Sequence, residues 1–167
     1  AYLDDLSAID RDQLSRANQV DLAVLRNKIE SSLWSLDTLQ EWAWNPLVYV
    51  DLSGSAIYGL VARDFAPLDT RLRSAAARLE QLPRFFAPAR ESIQPARVPK
   101  INAETAVQQN PGLVSIIDTM IVPELTAIDP ALQERLDAAI ETAKEAIAEQ
   151  QTWLEEELLP RAAGDFR

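Results

Sequence analysis

The sequence predicts an all-α fold, a helical bundle in which two long helices, about 15–41 and 130–159, lie around shorter central helices. Three observations carry that prediction. Apolar residues recur at helical spacing almost throughout the chain, no stretch alternates with the period of a strand, and prolines punctuate the periodic runs. At 167 residues the length suits a single helical domain, 1–167, large enough to bury a core without disulfides or metals.

The first long helix is marked by Leu22, Leu25, Ile29, Leu33 and Leu36, which step by three and four and so form one stripe, with Ser15 placed to cap the start. A shorter helix follows from Pro67 to Leu82, started by Asp64 or the Ala66-Pro67 pair and carrying Leu68, Leu72, Ala75, Leu79 and Leu82 on one face. Pro83 permits a fresh start through "RFFAPARESI". The two prolines of "QPARVPK" predict an elbow. Helical spacing resumes from Asn102, with breaks expected at Pro111 and Pro123. Asp129-Pro130 then predicts a sharp start for the last helix, with Asp as cap and Pro at the first position. Its stripe runs through Leu132, Leu136, Ile140, Ala143, Ile147, Leu154 and Leu158.

Between these elements lies "WAWNPLVYVDLSGSAIYGLVA", residues 42–62, with Asp51 as its single charge. A membrane span does not fit, because Asn45-Pro46 interrupts its start and Asp51 sits at its centre, where a carboxylate costs roughly 2.5–3.5 kcal/mol. Two short pieces joined at "DLSGS" are expected instead, with Asp51 or Ser53 capping a helix from about Gly54 to Arg63. Gly54, Ser55 and Gly59 would keep it slim for close packing, and Ile57, Tyr58, Leu60 and Val61 would bury it at the centre of the bundle. Trp34, Trp42, Trp44, Tyr49, Tyr58 and Phe65 crowd the same third of the sequence, so they predict an aromatic core or, alternatively, a wall facing a cavity or a partner domain.

Composition excludes much chemistry. With no cysteine and no histidine there is no thiolate or imidazole nucleophile or base, and zinc would have carboxylates alone. The net charge of −10 repels phosphate backbones and anionic headgroups, which argues against nucleic-acid binding. The glycines of "GSAIYG" are not followed by the Lys and Ser/Thr of a phosphate loop, and Ser53 lacks the flanking glycine of a nucleophile elbow. From Asp129 to Leu159 nine acids face two bases, with Glu141, Glu145 and Glu149 at four-residue spacing. A solvated face is the ordinary reason for this pattern, and a surface attracting a basic partner is the other. Catalytic and metal-ligating residues are not assigned.

The run from Asn45 to Phe86, with "RDFAPL" inside it, and the closing "WLEEELLPRAAGDFR" resemble the bacterial family known as domain of unknown function 885. That resemblance implies a mostly helical protein much longer than 167 residues. It also implies a C-terminal H-E-x-x-H helix like that of zinc metallopeptidases, hence zinc as cofactor and a peptide as substrate of the whole protein. The H-E-x-x-H motif is absent here. The missing histidines, and a run that stops at "GDFR" with Gly164 as C-cap and Phe166 beyond it, lead to the expectation that this is an N-terminal portion.

The expected role is therefore a non-catalytic helical domain that packs against its own C-terminal domain and lines the substrate channel. Trp42, Trp44, Tyr49, Tyr58, Phe65, Glu145 and Glu149 are the candidate interface or channel-wall residues. A stand-alone helical scaffold and an all-α small-ligand binder are the competing readings. A soluble protein, cytoplasmic or exported, fits either location.

Overall fold

The computed structural model describes residues 2–165, so the expectation built on Phe166 lies outside the described residues. The chain divides into two compact units, Ala1–Glu41 and Trp42–Arg167. Within both, the architecture is all-α.

In the first unit, α1 (Tyr2–Ser7) leads through a short 3₁₀ turn to α2 (Arg16–Trp34). Ser15 caps α2 as expected, its Oγ accepting the Asn18 N–H at 3.3 Å. Arg26 Nη2 donates to Ser7 Oγ at 2.9 Å, tying the two helices together. The helix ends in a π turn, Ser35–Leu39, and stops at Gln40, whose φ of 54° turns the backbone left-handed. Its stripe forms a helix face, but Leu25, Leu33 and Leu36 are exposed and no residue of α2 is buried.

Next come α3 (Glu41–Trp44), within which the second unit starts at Trp42, and α4 (Leu47–Val61). The expected break at "DLSGS" does not exist, because α4 runs straight through it. Asn45 Oδ1 accepts the Leu47 N–H at 3.2 Å and so starts the helix earlier. Ser53 turns its hydroxyl back to the Val50 carbonyl at 3.0 Å, which satisfies it inside the helix. Nor do the glycines mark a close approach, since a Cβ on Gly54 or Gly59 would meet nothing within 4 Å. Burial of α4 is one-sided: Ser53 and Ile57 are buried, whereas Leu52 and Tyr58 are exposed.

After α4, the buried Arg71 of α5 (Leu68–Leu79) organises the turn. Its guanidinium donates to the Ala66 carbonyl at 2.9 Å, to the Leu60 and Val61 carbonyls at 3.4 Å and to Asp64 at 2.7 Å. Asp64 is thus not a helix cap but the carboxylate partner of Arg71. That side chain closes the C-terminal end of α4, where carbonyls would otherwise lack donors.

Two prolines and an apolar face shape α6 (Leu82–Ser92), and the elbow follows as a 3₁₀ turn, Pro95–Arg97. Next come α7 (Lys100–Gln109) and α8 (Gly112–Ile116), the latter continuing through a π turn, Ile117–Ile121. The last long helix, α9 (Pro130–Trp153), begins under Asp129, whose Oδ1 accepts the Ala131 and Leu132 N–H groups at 3.0 Å. Pro130–Trp153 is 24 residues, about 36 Å at 1.5 Å per residue. A π turn, Leu154–Leu158, and a 3₁₀ turn, Leu159–Arg161, carry it on.

Two apolar clusters fill the unit. The larger joins Ile57 of α4, Leu72 and Leu79 of α5, Phe86 of α6, Ile117 and Ile121, and Leu132, Leu136 and Ile147 of α9. The smaller joins Ile93 and Val98 with Ala103 and Ala106 of α7 and with Leu154 and Leu158. Bundle packing centres on α5, which meets both α4 and α9.

Gly164 is not a helix C-cap. Its φ is not positive, and its N–H donates to the Val98 carbonyl at 2.8 Å in a single parallel bridge with Pro99. A Cβ there would overlap the Arg97 carbonyl, so glycine is required by the close approach of two backbone segments.

Candidate functional site

The residues singled out by sequence fall on several elements. Trp42 is partly exposed, and its carbonyl accepts the Tyr49 hydroxyl at 2.7 Å. Tyr49 is half-buried against Phe85, ring centres 5.9 Å apart. Burial pushes its phenol above the usual value, and a hydrogen bond with Ser92 partly offsets that. Trp44 is half-buried on the wall of a cleft of about 620 Å³ shared with Arg97, Pro99, Asn102 and Gly164. Tyr58 stands on the outer side of α4 and Phe65 in the α4–α5 turn, at 52% and 62% exposure. Instead of an aromatic core, then, these two rings face solvent. Glu145 and Glu149 lie exposed on α9, the latter 3.8 Å from Arg90. None of the clefts described here is lined by two of the seven.

Other polar groups serve the fold. Asn110 donates to the Ile147 carbonyl at 3.2 Å and to Gln151 at 2.9 Å, while Gln151 returns a bond to the Val107 carbonyl at 3.1 Å, so α7 and α9 are stitched by amides. Arg135 grips Glu80 with two bonds of 2.7 and 2.9 Å, and this holds the Glu80 carboxyl below its ordinary range. Among the described residues no three acidic side chains come close enough to share a metal, so no zinc step is assigned to this chain.

The feature that the sequence shows only in part is the outer face of α4, whose Ser55, Tyr58 and Gly59 were expected to pack inward. Val48, Asp51, Leu52, Ser55, Tyr58 and Gly59 repeat at three- and four-residue spacing along it, and all but the half-buried Val48 are exposed. On one side the stripe drops into a groove of about 190 Å³ walled by Leu52, Ala56, Ala77, Arg78, Leu82 and Phe85. On the other a cleft of about 290 Å³ runs between Ser53, Gly54 and Ser55 of α4 and the Gln109–Leu113 segment. The available signal was that α4 carries a single charge in 15 residues, with apolar side chains on more than one side.

What these observations define is an all-α domain whose buried polar side chains, Ser53, Arg71, Asn110 and Gln150, are hydrogen-bonded within the fold. More specifically, the chain belongs to the family described as "Bacterial protein of unknown function (DUF885)", which it matches along residues 1–167. A solved structure of a Shewanella oneidensis protein, described as a "putative lipoprotein of unknown function", superposes with a TM-score of 0.83 at 27% identity. The match covers 92% of this chain and 28% of that one, so this chain spans less than a third of the longer protein's length. No curated protein matches this chain. No helix among the described residues is long and apolar enough to cross a membrane.

Proposed function

We propose that this chain is the non-catalytic N-terminal helical domain of a longer bacterial protein, packing against a C-terminal domain and lining that domain's substrate channel. The observation that carries the reading is that nearly the whole chain corresponds to only 28% of a longer solved chain. Charge and composition agree with a supporting role, since the chain offers no imidazole or thiol to a reaction. In this reading zinc and the H-E-x-x-H motif belong to the C-terminal domain, and peptides are the substrate class, as the family resemblance implies. The likeness to a lipoprotein favours an exported parent. The test is calorimetric unfolding of the longer protein beside this chain alone. One cooperative transition, with this region melting higher in the longer protein, is the expected result. Independent melting at the temperature of the isolated chain would instead leave a stand-alone helical module.

A further inference from the structure

We infer that the outer face of α4 is the surface on which a helix of the rest of the longer protein docks; this rests on the reading that the chain is part of such a protein. Four observations converge. The stripe of half-buried Val48 and exposed Leu52, Ser55 and Gly59 steps by four, three and four, the spacing of a helix-packing seam. Its glycine and serine are small, and the position a Cβ would take at Gly59 is open, so no described residue of the second unit accounts for a slim helix there. Leu52 and Tyr58 stand 51% and 52% exposed beside an apolar groove. The remaining 72% of the Shewanella chain, by difference from the 28% matched, supplies ample polypeptide to occupy it.

A second copy of this chain fits the face less well. Each copy carries a net charge of −10, and Asp51 lies within the stripe itself, so pairing α4 with its own image would bring like charges together in a drying interface. A covalently attached domain meets the face at high effective concentration and needs no such self-complementarity. The occupant is accordingly a helix in cis, with its ridge set over Ser55 and Gly59, a large apolar side chain in the groove between Leu52 and Phe85, and a lysine or arginine facing Asp51.

Thiol reactivity tests this, because the chain has no cysteine of its own to interfere. Leu52→Cys and, separately, Ser55→Cys would be introduced in the longer protein, with Ala87→Cys on the exposed side of α6 as reference. Maleimide labelling would be followed at each site by peptide mass analysis. In the longer protein the two α4 thiols should react about tenfold slower than the reference, while in the 167-residue chain all three react within about twofold of each other. Equal rates in the longer protein would overturn the inference. So would slow labelling of the short chain that deepens with its concentration, which would assign the face to a second copy. If the longer protein unfolds in one transition but its α4 thiols label freely, the domain packs through another face and this inference alone fails. Two independent transitions would sink the reading beneath it.

Discussion

The helices α4 and α9 are both rich in apolar residues, but they spend them differently. Along its 24 residues α9 buries eight side chains on one stripe and gives the other face to Glu134, Asp137, Glu141 and Glu145. Of the 15 residues of α4, with a single charge, two are buried. Periodicity, more than hydrophobicity, therefore tells how much of a helix its own domain covers. A helix more apolar than its neighbours require carries surface for something else, and here that surplus is the Leu52–Tyr58 face.

The contrast can be broken most directly by removing one leucine from each helix. Leu136→Ala empties a fully buried site in α9 and should cost roughly 2–5 kcal/mol in denaturant unfolding. Leu52→Ala should change the stability of this chain by no more than about 0.5 kcal/mol. Comparable losses at both positions would mean that the outer face of α4 is already covered within the chain.

Arg71→Ala sharpens the comparison at the helix ends. Where α9 is started by its own neighbour Asp129, α4 is finished by a side chain from the next helix. Removing that guanidinium leaves the Ala66, Leu60 and Val61 carbonyls short of donors, at a cost of about 1–3 kcal/mol. Arg71→Lys should recover only part, because an ammonium cannot span four acceptors with a planar fork. Full recovery by lysine would mean that charge, and not geometry, is what the site uses.

The smallest effect concerns Glu80 and Arg135, which fasten α5 to α9 at the surface. Arg135 lowers the Glu80 carboxyl below its ordinary 4.5, so the pair's stabilisation is complete above that pH and is lost as pH falls through the depressed value. Comparing wild type with Glu80→Gln, the stability difference should be flat from about pH 6 to 8, where no histidine titrates, and should shrink below about pH 4.5 and in high salt. A difference that grows on acidification would contradict the assigned sign.

Much of this architecture could be read from residues alone. Ser15 and Asp129 cap where their chemistry says they should, Pro83 and Pro95 fall where helices change, and the α9 stripe is buried at Leu132, Leu136, Ile140, Ala143, Ile147, Leu154 and Leu158. The readings that failed depend on partners distant in sequence or on local competition. "DLSGS" looks like a break because Asp, Ser and Gly favour turns, yet Ser53 satisfies itself on Val50 and the Asn45-Pro46 start had already committed the segment to helix. Gly164 resembles a cap because it follows a helix, whereas its reason is the Arg97 backbone 67 positions earlier in the numbering. The candidate surface was half visible: Tyr58 and the small residues Ser55 and Gly59 were named, but expected to face the bundle, and turning them outward needed the positions of α5 and α6.

The Arg71 cluster also bears on the order in which the molecule comes apart. Its acceptors all lie within eleven residues, so the α4–α5 hairpin closes over a short span of chain. The Gly164 bond to Val98 encloses two further helices and the whole of α9, and the extra loop entropy of ordering so long a span is roughly 1–2 kcal/mol. Amide exchange should accordingly release the Gly164 hydrogen well before those near the end of α4, and the strap over the elbow, held by the Gly164–Val98 and Ala163–Pro95 backbone bonds, becomes a latch that opens before the α4–α5 turn.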